Sequence, residues 1–306
     1  MAYKQNHLLV TGSHRSGTSY TGAVLLSSQA YFQLLEPTNP VYGSTMADCW
    51  FPYARTQGDG GKYGQMVDHI FARRYNYRHY LHGSLPKRAL KALFGSKASR
   101  EALFYKYFGY KLRPMLIKDP LASFLAERMA RHHSADVLMC LRHPMSFFGS
   151  AKVGGHTFDF NNFLNQPDLV ADFLSDEEAH MHDNSLSYAE RYGLLWHCIN
   201  KVLLAFYDRR QEGERWHIHK HEDMCANPVQ TFGDAFAAFG LELSPKLRES
   251  VTTKARPEFA YAWQAAVTPQ EMEEVARFAK PLSDKLYPSE SWNLDHKDDV
   301  DPKLAF

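Results

Sequence analysis

A short apolar run, Leu8-Leu9-Val10, gives way to Gly12-Ser13-His14-Arg15-Ser16-Gly17-Thr18-Ser19, after which apolar residues resume as far as Leu26. The pattern predicts a buried strand over 8–11, a tight turn over 12–17 and a helix from Thr18 through Leu26. The two glycines stand at the G-x-x-x-x-G spacing of a phosphate loop, in which backbone N–H groups converge on an anion at the positive end of a helix. A triphosphatase would continue with Lys and then Ser or Thr to hold magnesium. Here Thr18 takes the lysine's place and the cation, Arg15, lies inside the loop. That relocation argues against ATP hydrolysis. A ligand-free left-handed turn would also use the glycines, but it does not call for an arginine flanked by hydroxyls.

The rest of the chain repeats the theme of strands ending in polar residues and proline. Strands are predicted over 31–35, 115–117, 137–141 and 216–219, the first three stopped by Glu36-Pro37, Lys118-Asp119-Pro120 and Arg142-His143-Pro144. Asp119 is placed to cap, and Pro120 to open, a helix running to Arg131. Such endings bring Arg15, Glu36, Lys118 and Arg142 to the carboxyl edge of a parallel sheet, where open α/β sheets bind ligands. Tyr192, Leu195, Trp196, Ile199, Val202, Leu203 and Phe206 recur at helical spacing and mark a core-facing helix. Asn227-Pro228 opens another helix, ended by Gly240. Residues 41–113 are basic and aromatic without sustained periodicity, and are expected to form a largely helical insertion over the active face; the charged tail after Trp292 is expected to pack loosely. No linker or internal repeat divides the chain, so one domain over 1–306 is expected.

A second anion motif follows the fourth strand: Arg142 at its end and Ser150 eight residues on, about two turns into the helix that Pro144 opens. Together with the first loop, this pattern resembles sulfotransferases that use 3′-phosphoadenosine 5′-phosphosulfate (PAPS), nearest to the tyrosylprotein-sulfotransferase branch and related bacterial enzymes, which carry Arg where cytosolic aryl enzymes carry Lys. The resemblance implies that Gly12, Ser13, His14, Arg15, Ser16, Gly17, Thr18 and Ser19 hold the 5′-phosphosulfate, and that Arg142 and Ser150 hold the 3′-phosphate. It also implies a catalytic role for Glu36 as base and for Lys118, in Lys-Asp-Pro, beside the sulfuryl group. His221, in His221-Glu222-Asp223, stands where the family keeps a Tyr near the adenine, and the C-terminal Arg-Lys-Gly loop of the cytosolic enzymes is absent. The match covers about 8–35, 115–152 and 215–241. The implied reaction is in-line transfer of a sulfuryl group from PAPS to a hydroxyl acceptor, leaving adenosine 3′,5′-bisphosphate, with no metal required. A P-loop nucleotide-dependent kinase and a non-catalytic nucleotide-binding protein are the alternatives.

Composition narrows the partners. The net charge of +1 argues against bulk nucleic acid or an anionic membrane as partner, and 44% apolar residues provide for a packed core. No long apolar run suggests a signal peptide or transmembrane helix, and four scattered cysteines read as reduced thiols, so a cytoplasmic location is expected. His217, His219 and His221 alternate along a strand, which spaces their side chains by roughly 7 Å, too far apart for one metal ion. The acceptor, whether small molecule, carbohydrate, lipid or peptide, is not specified by these residues.

Overall fold

A computed structural model describes residues 5–74, 76–78, 84–85, 97–108, 113–287 and 292. Five parallel strands, β1 (Leu8–Gly12), β2 (Phe32–Leu35), β3 (Met115–Lys118), β4 (Asp136–Leu141) and β5 (Trp216–Lys220), form one sheet in the order β2-β3-β1-β4-β5. The three inner strands are buried along their whole length, the signature of a parallel sheet covered on both faces, whereas the edge strands β2 and β5 are only partly buried. Leu9, Ile117, Val137 and Met139 join one apolar cluster with the helix Tyr188–Asp208. Leu8, Val10, Leu116 and Leu138 join another, with Leu25 and Phe236 from the helices Thr18–Leu26 and Pro228–Ala238. The α/β architecture with a parallel central sheet is therefore as the sequence pattern implied.

β1 sits at the switch in strand order: its register pairs Val10 with Lys118 of β3 on one side and Gly12 with Cys140 of β4 on the other. Sequence and structure differ at two helix starts. The long helix begins at Tyr188, before the first periodic apolar residue, because Ser187 and Glu190 form a capping box: Glu190 N donates to Ser187 Oγ at 3.1 Å and Ser187 N to Glu190 Oε2 at 2.9 Å. After Asp119 the chain forms a 3₁₀ segment, Pro120–Leu125, before the α-helix Ala126–His133. The Ser123 hydroxyl, shared between Pro120 O and Gly12 O at 2.8 Å each, ties this tighter turn to the end of β1.

Within 41–113, the helix Gly61–Phe71 buries Met66, Val67 and Ile70 and packs against Ala126–His133. The helix Lys97–Phe108 lies beside β2, with the Phe32 and Phe104 rings 5.8 Å apart. Residues 79–83, 86–96 and 109–112, and the tail 293–306 expected to pack loosely, lie outside the described residues. No helix among the described residues is long and apolar enough to cross a membrane, and the four cysteines are free.

Candidate active site

The loop after β1 is built for close approach. Gly12 has φ 144°, and a Cβ there would lie 2.1 Å from Cys140 O, so only glycine lets the strand end pass against β4. Arg15 at φ 66° and Gly17 at φ 89° turn the chain into the helix. Ser16 closes the turn by donating from N and Oγ to Ser13 O, at 3.2 and 2.5 Å. Gly17 offers the helix no side-chain cap, so its first-turn amides have no side-chain partner there. Gly17, Thr18, Ser19 and Tyr20 instead line a cavity of about 500 Å³, together with His14, Arg15, Glu36, Asn39, Trp50, Lys118, Leu121, Arg142, His221 and Phe259. Ser13 and Ser16 are buried in the loop's interior and shape it from behind.

Glu36 and Lys118 both line this cavity. Lys118 follows from the register of β3, and its stem runs over Gly22 of the loop helix, where a Cβ would meet Lys118 Cγ at 3.0 Å. Its ammonium is paired with Glu36 Oε1, and both side chains are largely buried. Glu36 takes a left-handed conformation, φ 42°, at a cost of about 1 to 2 kcal/mol for a non-glycine residue. It is held there by Glu36 N donating to Lys118 O at 2.9 Å and Asn39 N to Glu36 O at 3.1 Å. Behind the pair, fully buried Asp119 accepts from Thr38 N and Thr38 Oγ1, at 2.8 Å each, and from Leu121 N at 3.0 Å, so it both caps the 3₁₀ turn and anchors the Glu36 loop. Burial, and next the neighbouring Glu36 carboxylate, push Asp119 up to about 7 against those three donors.

Two further cations, Arg15 and Arg142, line the same cavity. Arg15, exposed at the loop tip, donates from Nε to Ser150 Oγ at 2.9 Å. Arg142, buried at the end of β4, donates from Nη1 to Arg15 O at 2.7 Å. The two anion motifs read from the sequence therefore meet. Ser150 is engaged by Arg15 rather than by Arg142, and it is fully buried rather than lining the cavity. Arg142 Nε is buried and has no hydrogen-bond partner among the described residues, and burial lowers the guanidinium to about 10 despite the opposing Glu222. A buried cation that lines a cavity and keeps an unused donor is matched to an anionic ligand.

Burial disfavours the charged form of the two imidazoles that line the cavity. Burial, with help from His156 and Arg15, lowers His14 to about 4, and its ring packs 4.9 Å from that of Phe147. His221 opens the short helix after β5 and lies against Gly17; burial, and then Arg142, push it well below its usual value. His217 and His219 follow each other along β5 with ring centroids 6.4 Å apart and the ring planes tilted by 50°. Among the described residues no three His, Cys, Asp or Glu side chains are grouped to hold a metal ion.

Sequence reading alone did not reach Asn39, Tyr42, Trp50, Tyr20, Leu121 or Phe259. Asn39 and Tyr42 follow Glu36 in Glu36-Pro37-Thr38-Asn39-Pro40-Val41-Tyr42, where two prolines flanking polar residues after a strand mark a shaped loop. Phe259 arrives from far along the chain and leaves no local signal.

No protein-family model and no curated protein sequence matches the chain. Among solved structures it is similar to the sulfotransferase domain from the curacin biosynthetic pathway, at 16% identity and a TM-score of 0.49, over 91% of this chain and 98% of that one. It is also similar to the sulfotransferase STF1 from Mycobacterium tuberculosis H37Rv, at 15% identity and a TM-score of 0.40, over 89% of this chain and 77% of that one. The sulfotransferase domain from the Synechococcus PCC 7002 olefin synthase gives 14% identity and a TM-score of 0.42, over 92% and 97%. These likenesses are distant in both sequence and superposition.

Proposed function

We propose that the protein transfers a sulfuryl group from PAPS to a hydroxyl acceptor. The observation that carries this reading is the cavity itself: one cavity is lined by a carboxylate–ammonium pair, Glu36 and Lys118, by Arg15 and Arg142, and by the N-terminus of a helix without a side-chain cap. The volume of about 500 Å³ is in the range of small-ligand sites. The loop 12–19 would hold the 5′-phosphosulfate, and Arg142, with its unused Nε, the 3′-phosphate. PAPS supplies an activated sulfuryl group whose departure leaves negative charge on a phosphate. Arg15 and the first-turn amides are preorganised to stabilise that charge. Glu36 takes the acceptor proton, and is a stronger base once Lys118 is drawn off by the anionic donor.

The test is transfer of labelled sulfate from PAPS to a panel of hydroxyl acceptors, with and without chelator, alongside calorimetric titration with adenosine 3′,5′-bisphosphate. We expect bisphosphate binding, transfer that persists in chelator, and a loss of roughly 100-fold in turnover for Glu36→Gln at constant nucleotide affinity. Absence of bisphosphate binding, or phosphoryl transfer from ATP that requires magnesium, would overturn the assignment.

A further inference from the structure

The Glu36 carboxylate is not symmetric. Its Oε1 meets Lys118, while Oε2 accepts two neutral hydrogen bonds, from the Tyr42 hydroxyl and from Asn39 Nδ2 at 2.9 Å. Both donors come from the loop that begins at Glu36, and the backbone fixes them. Asn39 Oδ1 accepts from Val41 N at 2.9 Å, which settles the amide's orientation. Gly43 N donates to Asn39 O and Ser44 N to Pro37 O, at 2.7 Å each. This winding is so tight that a Cβ on Gly43 would fall 2.6 Å from Pro37 O and 2.7 Å from Asn39 N. Asp119 then grips the same loop through Thr38.

We propose that Tyr42, assisted by Asn39, is the positioning residue of the site: it occupies Oε2 and so makes Oε1 of Glu36 the atom that takes the acceptor's proton. This rests on Glu36 being the base. As the acceptor O–H breaks, its proton forms a bond to Oε1, its electron pair forms the new S–O bond, and the old S–O bond breaks toward the phosphate. Oε2 is then the carbonyl oxygen of a neutral acid, with two lone pairs that still receive Tyr42 and Asn39. The Lys118 ammonium holds one lone pair of Oε1 and neutralises the charge that would draw the proton, so its move toward the anionic donor makes Oε1 a stronger base. The charged and titratable groups facing Glu36 are thus Lys118 and Asp119 from β3 and its end, and Tyr42 from its own loop. Burial and the bond to Glu36 push the Tyr42 phenol upward, so it remains a donor throughout the working range.

Tyr42→Phe removes the hydroxyl and keeps the ring. Two readouts test it, one independent of catalysis: ¹³C NMR of glutamate-labelled protein, with the Glu36 carboxyl signal assigned by its loss in Glu36→Gln, and steady-state transfer from PAPS. Each donor taken from a carboxylate makes it easier to protonate, so the Glu36 signal in Tyr42→Phe is expected to titrate at higher pH, and the acidic limb of the rate profile to move the same way. Turnover should fall roughly 10-fold, with the KM for PAPS unchanged. A scaffold role alone would lower thermal stability and leave both pH midpoints in place. Signal and rate profile identical to wild type would overturn the proposal. If the signal moves while the wild type transfers nothing from PAPS, the assignment of function falls and the positioning of the carboxylate stands.

Discussion

His219 offers a sharp test of how burial is tolerated in this sheet. It lies on β5, 1% exposed, with its ring 5.0 Å from that of Phe232, and neither ring nitrogen has a hydrogen-bond partner among the described residues. Burial, with His217 adding to it, lowers it to about 3. A histidine lowered on folding lends its full stability above the unfolded value of about 6.5 and loses it as pH falls below that, because the unfolded chain binds a proton the folded chain refuses. Between pH 7 and pH 5 this one ring costs the fold about 2 kcal/mol. His219→Leu removes the titration and an unsatisfied polar ring at similar volume. At pH 7 it should stabilise by about 1 kcal/mol, and at pH 5 by about 2 kcal/mol more. In wild type, His7 and His14 at about 4 and His143 at about 3 act in the same sense, whereas Asp119, raised to about 7, acts in the opposite one. Urea unfolding followed by tryptophan fluorescence from pH 7.5 to 5 measures the difference. A variant less stable than wild type at pH 7, or one whose stability falls as steeply with acid, would refute the reasoning.

Arg142→Ala should weaken adenosine 3′,5′-bisphosphate binding by about 1.5 to 3 kcal/mol in calorimetry, and Arg142→Lys by less, since it keeps the charge without the forked donors. Gly12→Ala should abolish soluble, nucleotide-binding protein, because its Cβ would strike the backbone of Cys140 at 2.1 Å. Gly155→Ala, also at positive φ but with nothing within 4 Å, should cost only about 1 kcal/mol in a thermal or urea melt.

The parts of this molecule that were legible in the sequence are those whose physics is local. Uninterrupted apolar runs mark the inner strands because both faces of the sheet are covered, and the glycine spacing marks the loop because no other residue fits Gly12. Asp119 declared itself as a cap through the proline beside it, and its bond to Leu121 N agrees, although the turn it opens is 3₁₀. The start of the long helix was hidden because a capping box lies in polar residues outside the apolar period. The mutual engagement of Arg15 and Ser150 was hidden for another reason. Two motifs more than a hundred residues apart each look complete alone, and only the pairing of β1 with β4 shows that they meet.

That pairing also sets a timetable for the newly made chain. β1 is synthesised well before its neighbours β3 and β4, since Leu8 pairs with Leu116 and Asp136, and β5 closes the edge later still. At roughly 5 to 20 residues per second, an apolar strand emerges from the ribosome and waits about 5 to 22 s before a partner exists. During that interval Leu8, Leu9 and Val10 present an unpaired edge to whatever is nearby. Sheets assembled from such distant segments close slowly. Yield in a cell should therefore depend on how well that first strand is shielded during synthesis as much as on the stability of the finished fold.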